Sequence, residues 1–215
     1  MKRILKTYFE GDVNLGLFGF ATDSYCLLGV KPKKRFSVVK VPVYARTVMS
    51  TGLVGMFLSG NSSGIIAPCI VEGGELKELK KIKRTLVLDS EYTALGNLVL
   101  MNDNGIVLSP MIRKYRKKIE EFFGIPCAVS KIANTGVVGS AGIATNKGCL
   151  VHPDIRENER DVVEKTLKVP VDIGTVAFGS GFVGSGIVAN SFGIMVPETS
   201  SGPELGRVVE TLGFI

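Results

Sequence analysis

A glycine followed nine positions later by a second glycine, with an apolar stretch and a polar cluster between, occurs four times in this chain: Gly55 and Gly64, Gly96 and Gly105, Gly139 and Gly148, Gly184 and Gly193. A fifth copy keeps the first glycine, Gly16, and has Tyr25 in the place of the second. The leading glycines 16, 55, 96, 139 and 184 are 39, 41, 43 and 45 residues apart. Self-similarity at a nearly fixed period of a few tens of residues marks a repeat architecture, and it limits the possible folds more than any single motif does. We read one domain, 1–215, of five units at about 16–54, 55–95, 96–138, 139–183 and 184–215, the last completed by 1–15.

Each unit has the same internal order. An apolar strand leads to a polar turn (Thr22-Asp23, Asn61-Ser62-Ser63, Asn102-Asp103-Asn104, Thr145-Asn146-Lys147, Asn190-Ser191), and a second apolar strand follows, as in a hairpin whose glycine takes positive φ. In units two to five that strand runs to Pro68, Pro110, Pro153 or Pro197, where the missing N–H ends the ladder. A charged segment with apolar residues at helical spacing comes next, such as Ile112, Tyr115, Ile119, Phe122 and Phe123, or Val162, Val163 and Leu167. Short strands are expected at Val41-Pro42-Val43, Ile125-Pro126-Cys127 and Val169-Pro170-Val171. The fifth unit ends after its helix, and residues 3–15 are placed to supply its last strand. That closes a ring with no open sheet edge and makes a monomer natural. The fold class is α/β: a closed five-fold ring of strand-strand-helix-strand units.

With 45% apolar and 21% charged residues and a mean hydropathy of +0.28, the chain falls among globular proteins. Glu10 and Asp12 interrupt the N-terminal region before any stretch resembling a signal peptide, so a cytoplasmic protein is expected. No residue from 173 to 197 is charged, but glycines at 174, 179, 181, 184, 186 and 193 favour short strands and turns over a membrane helix. The four cysteines form no CxxC pair and read as free thiols. The net charge of +6 is uneven: residues 1–131 hold 20 basic and 11 acidic side chains, and 132–215 hold 6 and 9. A basic surface of that kind suits RNA.

TALGN at Thr93–Asn97 with Asn102-Asp103, VGS at Val138–Ser140, TNKGCLVHP at Thr145–Pro153, GTV at Gly174–Val176, VAN at Val188–Asn190 and GPEL at Gly202–Leu205 together resemble the archaeal translation initiation factor 6 family. The resemblance runs end to end. It implies the pentein fold, a five-fold pseudosymmetric αβ propeller, and a non-enzymatic factor that binds the large ribosomal subunit, on rRNA near the sarcin-ricin loop and adjacent ribosomal proteins. There it would prevent association with the small subunit; eukaryotic members also act in large-subunit maturation. It implies no cofactor, DNA or membrane partner. Because the repeat brings the hairpin turns to one rim, the candidate ribosome contacts are Asn61, Asn102, Asp103, Thr145, Asn146 and Asn190. Their turn chemistry gives each a local structural role as well.

Penteins also include guanidine-modifying enzymes, which is the alternative reading. The one histidine, His152, lies three residues after Cys149, a separation that turns the two to opposite faces of a strand, and no cysteine follows to act as a C-terminal nucleophile. No catalytic or metal-binding residue is therefore assigned. Gly179 to Gly184 matches GxGxxG, but Gly184 opens a strand rather than a phosphate-binding helix. The run Arg113 to Lys118 is the densest basic cluster, with Lys31, Lys33, Lys34 and Arg35 as a second.

Overall fold

The computed structural model describes residues 3–215; Met1 and Lys2 of the expected N-terminal segment lie outside the described residues. It contains five three-stranded sheets. Strand β1 (Ile4–Thr7) comes first, followed by β2 (Gly19–Ala21), β3 (Cys26–Leu28) and β4 (Val43–Ala45) in unit one. Unit two has helix α1 (Val54–Phe57), β5 (Ser59–Asn61), β6 (Gly64–Pro68), α2 (Gly73–Ile82) and β7 (Thr85–Leu88). Unit three has α3 (Leu95–Leu98), β8 (Val99–Met101), β9 (Ile106–Leu108), α4 (Arg116–Phe123) and β10 (Cys127–Val129). Unit four has α5 (Val138–Ala141), β11 (Gly142–Ala144), β12 (Cys149–Val151), α6 (Glu157–Leu167) and β13 (Val171–Ile173). Unit five has α7 (Val183–Gly186), β14 (Val188–Ala189), β15 (Ile194–Pro197) and α8 (Gly202–Thr211).

In every sheet an antiparallel hairpin carries a third strand parallel to its second. The fifth sheet takes its third strand from the other end of the chain: β1 pairs with β15 in parallel, Ile4 opposite Ile194 and Thr7 opposite Pro197. The fold is the five-fold pentein propeller. The third strands begin just after the prolines rather than on them, because proline cannot donate to the ladder but its carbonyl can accept. Pro42, Pro126 and Pro170 accept from the N–H of Cys26, Ile106 and Cys149 at 2.9 Å.

The leading glycines do not open strands as their apolar surroundings suggested. They sit in one-turn helices (a 3₁₀ turn, Leu15–Phe18, in unit one) that form a closed circle around the axis. A Cβ on Gly55 would lie 2.0 Å from the carbonyl oxygen of Gly16, on Gly96 1.8 Å from that of Gly55, and on Gly139 2.0 Å from that of Gly96. On Gly184 it would lie 2.1 Å from the oxygen of Gly139, and on Gly16 2.0 Å from that of Gly184. Backbone meets backbone at all five contacts, and only glycine leaves room.

The second glycines also work by close approach. Gly64, Gly105, Gly148 and Gly193 all have ordinary φ. A Cβ on Gly105 would come within 2.0 Å of Thr166 O, on Gly148 within 1.8 Å of Thr211 O and on Gly193 within 2.1 Å of Val38 O. These carbonyls end the helical segment of the following unit. Each such segment plugs the outer opening of a wedge between two neighbouring sheets, so apolar burial is divided into five clusters. Leu79 of α2, Ile119 and Phe123 of α4, Val163 and Leu167 of α6, and Val208 of α8 fill four of them. In unit one the plug is only a 3₁₀ segment, Lys34–Val39, carrying Phe36 inward, since Pro32 and its few residues leave no room for a longer helix. Before α4 the 3₁₀ segment Pro110–Tyr115 is itself kinked at Ile112.

Candidate functional site

The hairpin turns do gather at one end of the axis, where Thr22, Asn61, Asn102, Thr145 and Asn190 line a shared recess. All five are buried. The side-chain oxygen of each accepts from backbone N–H groups two and three residues on: Asn61 Oδ1 from Ser63 and Gly64, Asn102 Oδ1 from Asn104 and Gly105, Asn190 Oδ1 from Phe192 and Gly193. Thr145 Oγ1 does the same for Lys147 and Gly148. These side-chain bonds hold the turns at negative φ, so no left-handed glycine is required. The asparagine amides then reach the next unit. Asn102 Nδ2 donates to Thr145 O at 3.0 Å and to Leu167 O at 2.9 Å, Asn190 Nδ2 to Thr22 O and Val39 O at 2.8 Å, and Asn61 Nδ2 to Asn102 O at 3.2 Å. Leu167 and Val39 are the last residues of their helical segments, so the amides of Asn102 and Asn190 also satisfy a terminal helix carbonyl.

Asn61, Asn102, Thr145 and Asn190 are therefore internal fasteners, with their polar atoms already bonded, and they offer no side chain to a partner. Four of the six candidate contacts thus lie at the expected end of the ring with their side chains buried. Asp103 and Asn146 are half-exposed at the mouth of the recess, yet they bind each other and their neighbours. Asp103 Oδ1 accepts from Ser62 N and Asn146 Oδ1 from Asp103 N, while Asn146 Nδ2 donates to Asp103 Oδ2 at 2.7 Å and to Asp23 Oδ2 at 2.8 Å. One amide thus bridges two carboxylates across the axis, offsetting their repulsion.

The opposite end is built differently. Third strands run parallel to second strands, so the segment leaving each third strand emerges at the end away from the hairpin turns. There the chain makes tight turns with non-glycine residues at positive φ: Met49 and Ser50 (52° and 59°), Ala133 and Asn134 (53° and 59°), Ala177 and Phe178 (51° and 67°). Such backbone is costly for bulky residues and persists only where the surroundings enforce it. A glutamate near the start of a plugging helix enforces it here. Glu75 accepts from Met49 N, Ser50 N and Thr47 Oγ1; Glu159 from Asn134 N; Glu204 from Phe178 N, Gly179 N and Thr175 Oγ1. Burial alone would raise the Glu75 and Glu204 carboxyls, but these hydrogen bonds outweigh it and hold both below the ordinary carboxylate range.

Of the large apolar residues left exposed, Tyr8, Met49, Met111, Ile173, Phe178 and Phe182 lie at this end. Phe178 is 84% exposed on a turn that Glu204 makes rigid. The sequence pattern does not show this surface, because nothing local marks Met49 or Phe178 as left-handed; the one legible trace is the glutamate in the first turn of α2, α6 and α8.

Since Glu204 titrates lower in the folded than in the unfolded protein, its contribution is complete above about pH 4.5 and lost as pH falls through the folded value. Glu204→Gln is expected to cost about 1–3 kcal/mol at neutral pH. The difference in Tm from the parent protein should shrink as the pH falls below about 4.5 and through the lower folded value, which a melting series against pH would read.

Cys149 is fully buried, and burial pushes its thiol well above the ordinary range, as it does that of Cys26; burial, with Glu120 nearby, pushes Cys127 up to about 12. A thiol so held is a poor nucleophile. His152 Nδ1 accepts from Asp154 N, and its ring packs edge-on against Phe182. Gly179 belongs to the left-handed turn, and the GxGxxG match leads into only one helical turn, α7. Among the described residues no cluster of three potential metal ligands occurs, and no helix is long and apolar enough to cross a membrane.

A sequence profile described as the eIF-6 family matches residues 4–211. The chain belongs to the eIF-6 family. It is 38% identical to translation initiation factor 6 of Pyrococcus horikoshii, covering 96% of this chain and 97% of that protein. It is 36% identical to the proteins of the same name from Thermococcus onnurineus and Methanococcus vannielii, over 99% of each chain. Membership assigns a role in translation initiation, and the matched span takes in all five sheets, from β1 to β15.

Proposed function

We propose that this protein is a cytoplasmic, monomeric initiation factor that binds the large ribosomal subunit, on rRNA near the sarcin-ricin loop and adjacent ribosomal proteins, and so keeps the small subunit from joining. The observation that carries this reading is the family match across the whole ring. The physics is steric: a rigid body bound to one subunit occupies surface that the other requires, and mass action does the rest. No reacting group is needed.

The end bearing the left-handed turns suits docking better than the hairpin end. It presents apolar side chains on backbone held rigid by internal carboxylates, so little ordering entropy is lost on binding. At the hairpin end the buried asparagine and threonine side chains are already bonded within the ring, and a contact there would go through Asp103 and Asn146. Phe178→Asn tests the choice, because asparagine tolerates left-handed backbone and the fold should be as stable as before or slightly more so. Affinity for purified large subunits is expected to fall about tenfold or more, as for a central aromatic anchor. Phe192→Ser at the hairpin end should leave affinity unchanged. Equal affinity of the parent and the Phe178 variant would move the docking surface elsewhere.

A further inference from the structure

Five repeated wedges make a body that shape alone could seat on a partner in five nearly equivalent rotations about its own axis. The charge on its circumference breaks that equivalence. In order around the ring the plugging segments are Lys34–Val39, α2, α4, α6 and α8. Residues 31–40 carry five cations and no acid, 72–84 five cations and three acids, and 110–124 five cations and two acids. Residues 154–168 carry four cations and five acids, and 198–212 one cation and three acids. Three consecutive segments are thus basic, and the remaining two are acidic.

The basic side chains are available. Lys33, Lys34, Arg35, Lys80, Lys114 and Lys117 are exposed, and among the described residues Lys81 and Arg116 are the members of this arc that form ion pairs within the protein. Arg84 is held over the Phe122 ring at 3.8 Å, joining the surfaces of α2 and α4 across the wedge between them. Of the exposed large hydrophobics only Met111 lies within 31–40, 72–84 or 110–124, so the arc lacks the continuous apolar face that membrane insertion needs. A curved row of exposed cations in excess over acids, spanning three wedges in a protein of translation, matches the phosphate backbone of RNA.

We infer that the arc from residue 31 through α2 to α4 lies against rRNA phosphates while α6 and α8 face away from the RNA, and that this polarity selects one of the five rotations in which the disc seats. The inference rests on the large-subunit reading above. Two measurements on the full chain bound to large subunits test it. Neutralising Lys33, Lys34 and Arg35 together to glutamine should reduce the slope of log affinity against log salt by about 2, at roughly 0.7–0.9 for each phosphate no longer neutralised. Lys165→Gln with Lys168→Gln on the α6 side should leave the slope unchanged. In a Cys69→Ser background, where the remaining cysteines are buried, an iron chelate tethered at Lys80→Cys should cleave rRNA at discrete positions, and one at Lys165→Cys should not. Equal cleavage from both arcs, or an unchanged slope in the triple variant, overturns the inference and leaves large-subunit binding standing. Absence of binding by the parent protein overturns both.

Discussion

Gly96→Ala should prevent folding at ordinary temperature. The added methyl would lie 1.8 Å from Gly55 O, 2.7 Å from Leu58 O and 2.9 Å from Gly55 C, all backbone atoms with no rotamer to yield. Relief requires units two and three to move apart. The circle of glycines is closed, so that displacement passes to every other contact. A destabilisation on the order of 4 kcal/mol or more is expected, beyond the range of ordinary core substitutions. Circular dichroism and size-exclusion chromatography would show an unfolded or aggregated chain. Gly206→Ala is the control. Gly206 lies inside α8 with nothing within 4 Å of the place a methyl would take, so alanine there should stabilise by about 0.5–1 kcal/mol. If Gly96→Ala melts within a few degrees of the parent protein, the closed backbone circle does not hold the ring together.

Asn102→Ala is expected to have the next largest effect. It removes one acceptor shared by two turn N–H groups and the amide that donates to Thr145 O and Leu167 O in the next unit. At about 1–3 kcal/mol for each buried group left unpaired, with incomplete additivity, the loss should be on the order of 3–5 kcal/mol. For a chain of this size that lowers Tm by roughly 10 °C or more. Asn102→Thr separates the two functions of the side chain, because Thr22 and Thr145 occupy the same position in units one and four and hold their turns with a hydroxyl alone. Threonine should recover the turn and not the inter-unit bonds, restoring about half the loss. If alanine and threonine destabilise equally, the turn bonds contribute little.

The two variants also mark how far the sequence could be read. Gly96 and Asn102 were legible as members of a repeat, and the repeat spacing led to five hairpins, four plugging helices and the N-terminal strand beside β15. What they contact was not legible. Gly96 faces Gly55, and Asn102 reaches Leu167, at separations where local pattern carries no information. The same limit explains why the burial of the candidates was not legible: turn chemistry put Asn61, Asn102, Thr145 and Asn190 at one end of the axis, but each asparagine amide runs inward to a neighbouring unit, and Thr145 is buried with them. It also explains why the left-handed turns were missed. Met49-Ser50 and Ala177-Phe178 have no intrinsic preference for positive φ and are imposed by Glu75 and Glu204 from distant segments. Short third strands shifted by one proline, and a 3₁₀ segment in place of a helix in unit one, are smaller effects of the same kind.

The most direct test of the central claim is to titrate the protein into a mixture of large and small ribosomal subunits under joining conditions and resolve the products on sucrose gradients. Joined ribosomes should decrease in proportion to occupancy, with the protein in the free large-subunit peak and absent from the small-subunit peak. Undiminished joining with the large subunit saturated, or protein travelling with joined ribosomes, would contradict the account.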